Sequence, residues 1–132
     1  MTAFVDTSAL YALLDEDDGN HRRAEDALQM LARERRRLFT HSYVVVESVA
    51  LVQRRLGITQ VRRLVDHLLG VVAIRWVDEA LHRAAYAALL ASDSRGVSLV
   101  DHTTFIVMRE AGIDDAFAFD SDLMSQGFHL IG

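Results

Sequence analysis

The stretch LFTHSYVVVESVALVQRRLG, residues 38–57, carries the decision about the fold. Leu38 to His41 is a short apolar run suited to a buried strand. Ser42 can cap a helix that runs to Leu56 and is closed by Gly57. A strand that feeds directly into a helix is the first half of a parallel βαβ unit. One residue resists this reading. On the helix, Val44 and Leu51 lie three before and four after Glu47, so the pattern puts a lone carboxylate on an apolar face. Burying it there unpaired would cost several kcal/mol.

The same alternation recurs in both directions along the chain. Apolar runs at 2–5, 71–77, 116–119 and 128–131 read as further strands. Helical patterns span 8–17, 21–37, 59–69, 78–92 and 97–112, with a short helical turn at 120–127. Short strands alternating with amphipathic helices predict an α/β fold, a three-layer α/β/α sandwich around a mostly parallel five-stranded sheet. With no linker, repeat or low-complexity tract, residues 1–132 read as a single domain. Phe4, Phe105, Phe117, Phe119 and Trp76 fall in core patterns, whereas Tyr11 and Tyr43 lie near the strand ends.

Composition removes several chemistries. The chain has 132 residues, 51% of them hydrophobic and 25% charged, which is ordinary for a globular domain. Cysteine is absent, which excludes disulfides, zinc–thiolate sites and a thiol nucleophile. All fourteen basic residues are arginines, so lysine Schiff bases and Walker-type phosphate loops are excluded too. MTAFVDTSAL has no basic segment ahead of its apolar residues, and no uncharged apolar run approaches ~18 residues. A cytoplasmic protein without a membrane segment is expected. The net charge of −5 opposes bulk attraction to nucleic acid, yet the arginines cluster. Arg33, Arg35, Arg36 and Arg37, or the pair Arg22–Arg23, are expected to form a local positive rim, and arginine suits bidentate phosphate contact.

In open parallel sheets ligands bind where strand C-termini meet helix N-termini. Asp6 follows the first strand, Asp120 follows the fourth, and Asp101 heads a helix after VSLV. Glu47 lies one to two turns into the helix after the second strand. Taken singly, Asp6, Asp101 and Asp120 are better explained as helix caps, and Asp122 as a first-turn acid favoured by the helix dipole. Taken together, they would repel one another and raise each other's pKa values. A hard divalent cation, Mg²⁺ or Mn²⁺, resolves that conflict through oxygen ligands, while the missing histidine pair disfavours zinc. Such a centre suits phosphodiester hydrolysis by metal-activated water.

FVDTSAL, VVVESVALVQRRLG, SLVDHTTFIVMREAGIDDAFAFDSDL and GFHLI resemble the PIN-domain family, and in particular the VapC-type ribonuclease toxins of bacterial toxin–antitoxin pairs. The resemblance spans essentially the whole chain. It implies that Asp6, Glu47, Asp101 and Asp120 are the catalytic and metal-binding acids. Asp122 matches a position that often holds a further acid, and Thr7 and Ser8 match small polar residues that orient carboxylates or water. It also implies one or two Mg²⁺ or Mn²⁺ ions, an RNA substrate, a homodimer (a heterotetramer or larger with its partner), and a small VapB-like antitoxin bound across the active-site groove. FAFDSDL alone is also similar to the nucleophile motif of haloacid dehalogenase-type phosphatases, and strand-end acids occur in receiver domains. Both require a lysine that this chain lacks. The remaining rival is a non-catalytic PIN-like module that binds RNA or protein. His41 and His102 are assigned no catalytic role.

Overall fold

The structure, a computed structural model, describes residues 1–132. Five strands, β1 (Thr2–Val5), β2 (Arg37–His41), β3 (Val72–Arg75), β4 (Asp115–Phe117) and β5 (His129–Ile131), form one sheet in the order β3-β2-β1-β4-β5. Every pairing is parallel. Consecutive residues Ala3, Phe4 and Val5 of the central strand are all buried, so both faces of the sheet are covered. That makes three layers. No helix is long and apolar enough to cross a membrane.

Seven α-helices connect the strands: α1 (Thr7–Leu14), α2 (His21–Arg33), α3 (Ser42–Leu56), α4 (Ile58–Arg63), α5 (Glu79–Ala91), α6 (Leu99–Ala111) and α7 (Ser121–Ser125). Chain order runs outward from β1 to β2 and β3, then returns across the sheet to β4 and β5. The order therefore reverses between β1 and β4, which opens a crevice above their C-terminal ends. Asp6 and Asp120 flank that crevice as the N-caps of α1 and α7.

Several expected boundaries move, each for a local reason. The first helix stops at Leu14, where the Asp15 backbone turns extended. The second stops at Arg33 rather than Arg37. There Arg35 takes a left-handed conformation (φ 52°), and Arg36 N–H donates to Leu31 O in a Schellman closure. The stretch expected as one helix over 59–69 is α4 followed by a π-helical turn (Leu64–Leu68) and a 3₁₀ turn (Leu69–Val71). β3 ends at Arg75, leaving Trp76 71% exposed and outside the core.

Candidate metal centre

The first acid is positioned by its own helix. Asp6 is buried at the end of β1, where its N–H donates to Phe117 O on β4 (3.1 Å). Its Oδ2 accepts from Ser8 N (3.2 Å) and Ser8 Oγ (2.6 Å), and Ser8 Oγ in turn accepts from Phe119 N (3.0 Å). Ser8 thus orients the carboxylate and ties the start of α1 to the chain leaving β4. Asp101 sits in the first turn of α6, in a reciprocal capping box: its Oδ2 accepts from Ser98 N (2.9 Å) while Ser98 Oγ accepts from Asp101 N (3.1 Å). Asp120 caps α7 by accepting from Asp122 N through Oδ1 (2.9 Å).

In each of these acids one oxygen serves a helix cap and the other has no backbone or side-chain donor. Capping and ligation are therefore compatible, because the cap fixes the carboxylate and leaves an oxygen available. Carboxylate oxygens of Asp101, Asp120 and Asp122 all lie within 4.8 Å of one another. Asp6 lies beside this group, near enough to feel the charges of Asp120 and Asp101 but outside the 4.8 Å set. Burial, reinforced by the charges of Asp120 and Asp101, raises its pKa from 3.8 to about 6, and the two Ser8 hydrogen bonds only partly offset the rise. Asp122 is raised as well, by burial and then by Asp120 and Asp101. Oxygen-only donors, crowded negative charge and free carboxylate oxygens fit a hard divalent cation.

Glu47 departs from expectation. The buried stripe of α3 is Ser42, Val44, Ser48 and Val52, and Glu47 lies with Val46 and Ala50 on the exposed side. It is neither buried among apolar side chains nor within the tight group of Asp101, Asp120 and Asp122. Its helix is nonetheless attached beside Asp6, since Ser48 Oγ donates to Thr7 Oγ1 (3.2 Å). Glu47 and Thr7 share a cleft of about 350 Å³ with Ala50, Leu51 and Arg54. A second cleft of about 380 Å³ joins Glu47 to Tyr43, Val46, His82, Leu99 and Val100, running toward the first turn of α6.

The arginine rim also needs correction. Arg36 is held inside the fold by Asp115 Oδ2 (2.7 Å) and Thr2 O (3.3 Å). These partners start β4 and β1, so residues 35–37 lie at the N-terminal edge of the sheet, opposite the acids. Arg33, at the C-terminal end of α2, leads into the same edge. Arg23 is on the acid side, with its guanidinium 5.3 Å from the Phe119 ring centroid and bonded to Gly132 O (2.7 Å).

One contributor has no signal in the sequence beyond its place at a strand end. His41 is fully buried and caps α3, with Nδ1 accepting from Tyr43 N (3.2 Å) and Val44 N (3.4 Å). Its Nε2 is left to donate to Thr104 Oγ1 (2.8 Å), which bonds Val100 O (3.1 Å). Burial, then the charge of Arg75, pulls its pKa down to about 4, so the imidazole is neutral. A single side chain thereby clamps the helix bearing Glu47 to the helix bearing Asp101. His102 lies edge-on to Phe105 and its buried Nε2 has no partner. Tyr11 bonds Asp15 (2.6 Å), and Tyr43 bonds His82 in the second cleft.

Comparison with known proteins agrees with this geometry. The PIN domain family matches residues 3–128. VapC20, a 23S rRNA-specific endonuclease of Mycobacterium tuberculosis (strains CDC 1551 / Oshkosh and ATCC 25618 / H37Rv), is 36% identical over 126 residues, 95% of this chain and 94% of its own. The crystal structure of M. tuberculosis VapC20, described as a sarcin–ricin loop cleaving toxin, aligns with a TM-score of 0.83 at 33% identity over 96% of both chains. A crystal structure from Pyrobaculum aerophilum aligns at TM-score 0.61 and 20% identity, covering 99% of this chain and 90% of that one, and bears on the fold alone. A five-stranded parallel sheet with carboxylates gathered at its switch point, and a sequence match running through nearly its whole length, place this chain in the PIN-domain family.

Proposed function

We propose that the chain is a divalent-metal-dependent endoribonuclease and the toxin of a toxin–antitoxin pair. The observation that carries this reading is the gathering of Asp101, Asp120 and Asp122 within 4.8 Å, beside a buried Asp6. Asp6, Asp101 and Asp120, with Asp122 and Glu47, would hold one or two Mg²⁺ or Mn²⁺ ions. Such an ion supplies positive charge that polarises water and the phosphoryl group for in-line hydrolysis of a phosphodiester. The residues themselves do the positioning. Ser8 fixes the Asp6 carboxylate, Ser98 fixes Asp101, and the Asp122 N–H fixes Asp120. Thr7 holds α3 in register through Ser48. Without a cation, Asp6 retains a proton up to about pH 6.

The substrate of the VapC20 relative supports structured ribosomal RNA, a sarcin–ricin-type loop, as the substrate class. A homodimer is supported by the exposed apolar residues Val46, Trp76, Tyr86 and Leu90. A VapB-like antitoxin, a cytoplasmic location and a single catalytic domain over 1–132 complete the proposal. The second reading, a non-catalytic binding module, draws on the capping duties of Asp6, Asp101 and Asp120, which would keep these acids in place without any metal.

The test uses purified, antitoxin-free protein with total RNA and with an RNA hairpin carrying a sarcin–ricin loop. Cleavage is expected with Mg²⁺ or Mn²⁺, and is expected to vanish with EDTA and in Glu47→Gln and Asp101→Asn. Cleavage that survives both the chelator and the substitutions would overturn the metal-nuclease reading. Intact RNA together with no Mn²⁺ binding would favour the binding module.

A further inference from the structure

The cleft below Glu47 has a cationic end that the fold leaves unused. Arg54 lines it together with Thr7, Glu47, Ala50 and Leu51, in a space of about 350 Å³. Arg54 makes no hydrogen bond and no ion pair, unlike Arg36, Arg75, Arg83 and Arg109. It follows Glu47 by seven residues on α3, two turns and about 10 Å along the same helical face. The Thr7 hydroxyl accepts from Ser48 Oγ, so its own proton is free to donate.

We infer that this cleft is a subsite for an RNA phosphodiester flanking the scissile bond, anchored by the Arg54 guanidinium with Thr7 Oγ1 as a second donor. The inference rests on the ribonuclease reading above and adds to it the path of the strand. A chain whose reacting phosphate sits over the acids must continue across adjacent surface, and this cleft begins at Glu47. A protein of net charge −5 needs a local cation at such a place to hold a polyanion. The planar, permanently charged guanidinium matches two phosphate oxygens at once, which gives geometry as well as attraction. A helix-dipole role at the C-terminal turn of α3 would need only a positive charge there, and Arg55, lying 5.4 Å from the Tyr11 ring, already supplies one.

The experiment measures binding of a fluorescein-labelled RNA hairpin with a sarcin–ricin loop, by anisotropy over a range of salt concentrations. It uses an Asp101→Asn background to prevent turnover, with Arg54→Gln, Arg54→Lys and Thr7→Val added. Arg54→Gln is expected to weaken binding about tenfold at low salt. It should also reduce the slope of log K against log salt by about 0.7–0.9, the loss of one phosphate contact. Arg54→Lys should restore the slope but only part of the affinity, and Thr7→Val should weaken binding and keep the slope. Unchanged affinity and slope in Arg54→Gln, with the Asp101→Asn background still binding RNA, would overturn the subsite and leave the nuclease reading standing. Absence of RNA binding and of cleavage by the wild type would overturn both. Binding of an acidic peptide that Arg54→Gln abolishes, with RNA affinity untouched, would assign the cleft to a protein partner and overturn the proposal.

Discussion

Asp6 and His41 are buried ionisable residues with opposite consequences for stability. Asp6 in the folded chain holds its proton up to about pH 6, against 3.8 in an ordinary aspartate. Its contribution is therefore fully present below pH 3.8 and lost as pH rises through 6. Asp6→Asn keeps an oxygen for both Ser8 bonds and removes the charge. Free of divalent cations at pH 7.5, it should be more stable than wild type by up to about 3 kcal/mol, with the gap closing toward pH 4 in urea titrations. His41 runs the other way: its pKa is pulled down to about 4, so its contribution is present above pH 6.5 and lost as pH falls toward 4. His41→Asn preserves an N-cap acceptor but not the donor to Thr104. It should cost about 1–3 kcal/mol at pH 7.5, and less at pH 4.5. Glu47 is exposed, so Glu47→Gln should shift stability by less than about 0.5 kcal/mol while abolishing cleavage. A Glu47→Gln protein that unfolds at lower temperature would give the residue a structural role instead.

At the scale of elements, helix ends explain both what was legible in the sequence and what was not. Gly57 and Gly112 announce their helix C-termini, because glycine favours the conformations that end a helix, whereas α3 is capped by His41 and not by the expected Ser42, and the Ser98 cap of α6 is masked by the apolar run around it. Arg35 gives no such signal. It occupies a left-handed position usually taken by glycine, at φ 52°, so no stop signal separates Ala32 from Leu38 and the sequence reads as helix to Arg37. Arg35→Gly is expected to stabilise the chain by about 0.5–1 kcal/mol, read as a shift in urea midpoint, by relieving that conformation. Helix α3 hides its packing face for a different reason. It is apolar on nearly every face, so periodicity could not say which face packs inward. Tertiary packing selects Val44, Ser48 and Val52, which turns Glu47 outward together with the exposed Val46. The acids at β1 and β4 were legible because their position follows from parallel topology, whereas Asp122 joins the group only through the short helix α7.

At the scale of the whole molecule, the sheet order β3-β2-β1-β4-β5 brings together residues far apart in sequence, since the chain reverses direction between β1 and β4. Asp6, Asp101, Asp120 and Asp122 meet at that crevice, and their crowding disfavours the fully ionised, cation-free state. A bound cation should relieve that repulsion and stabilise the whole fold, by about 2.7 kcal/mol at 100 times its Kd. The most direct measurement is calorimetric titration of Mn²⁺ into the wild type and into Asp120→Asn, at pH 7.5 and at pH 5.5. Binding to the wild type is expected, weaker at pH 5.5, where the Asp6 proton competes, and weakened at least about tenfold by the substitution. Equal Mn²⁺ affinity in both proteins, unchanged between the two pH values, would contradict the proposed metal centre.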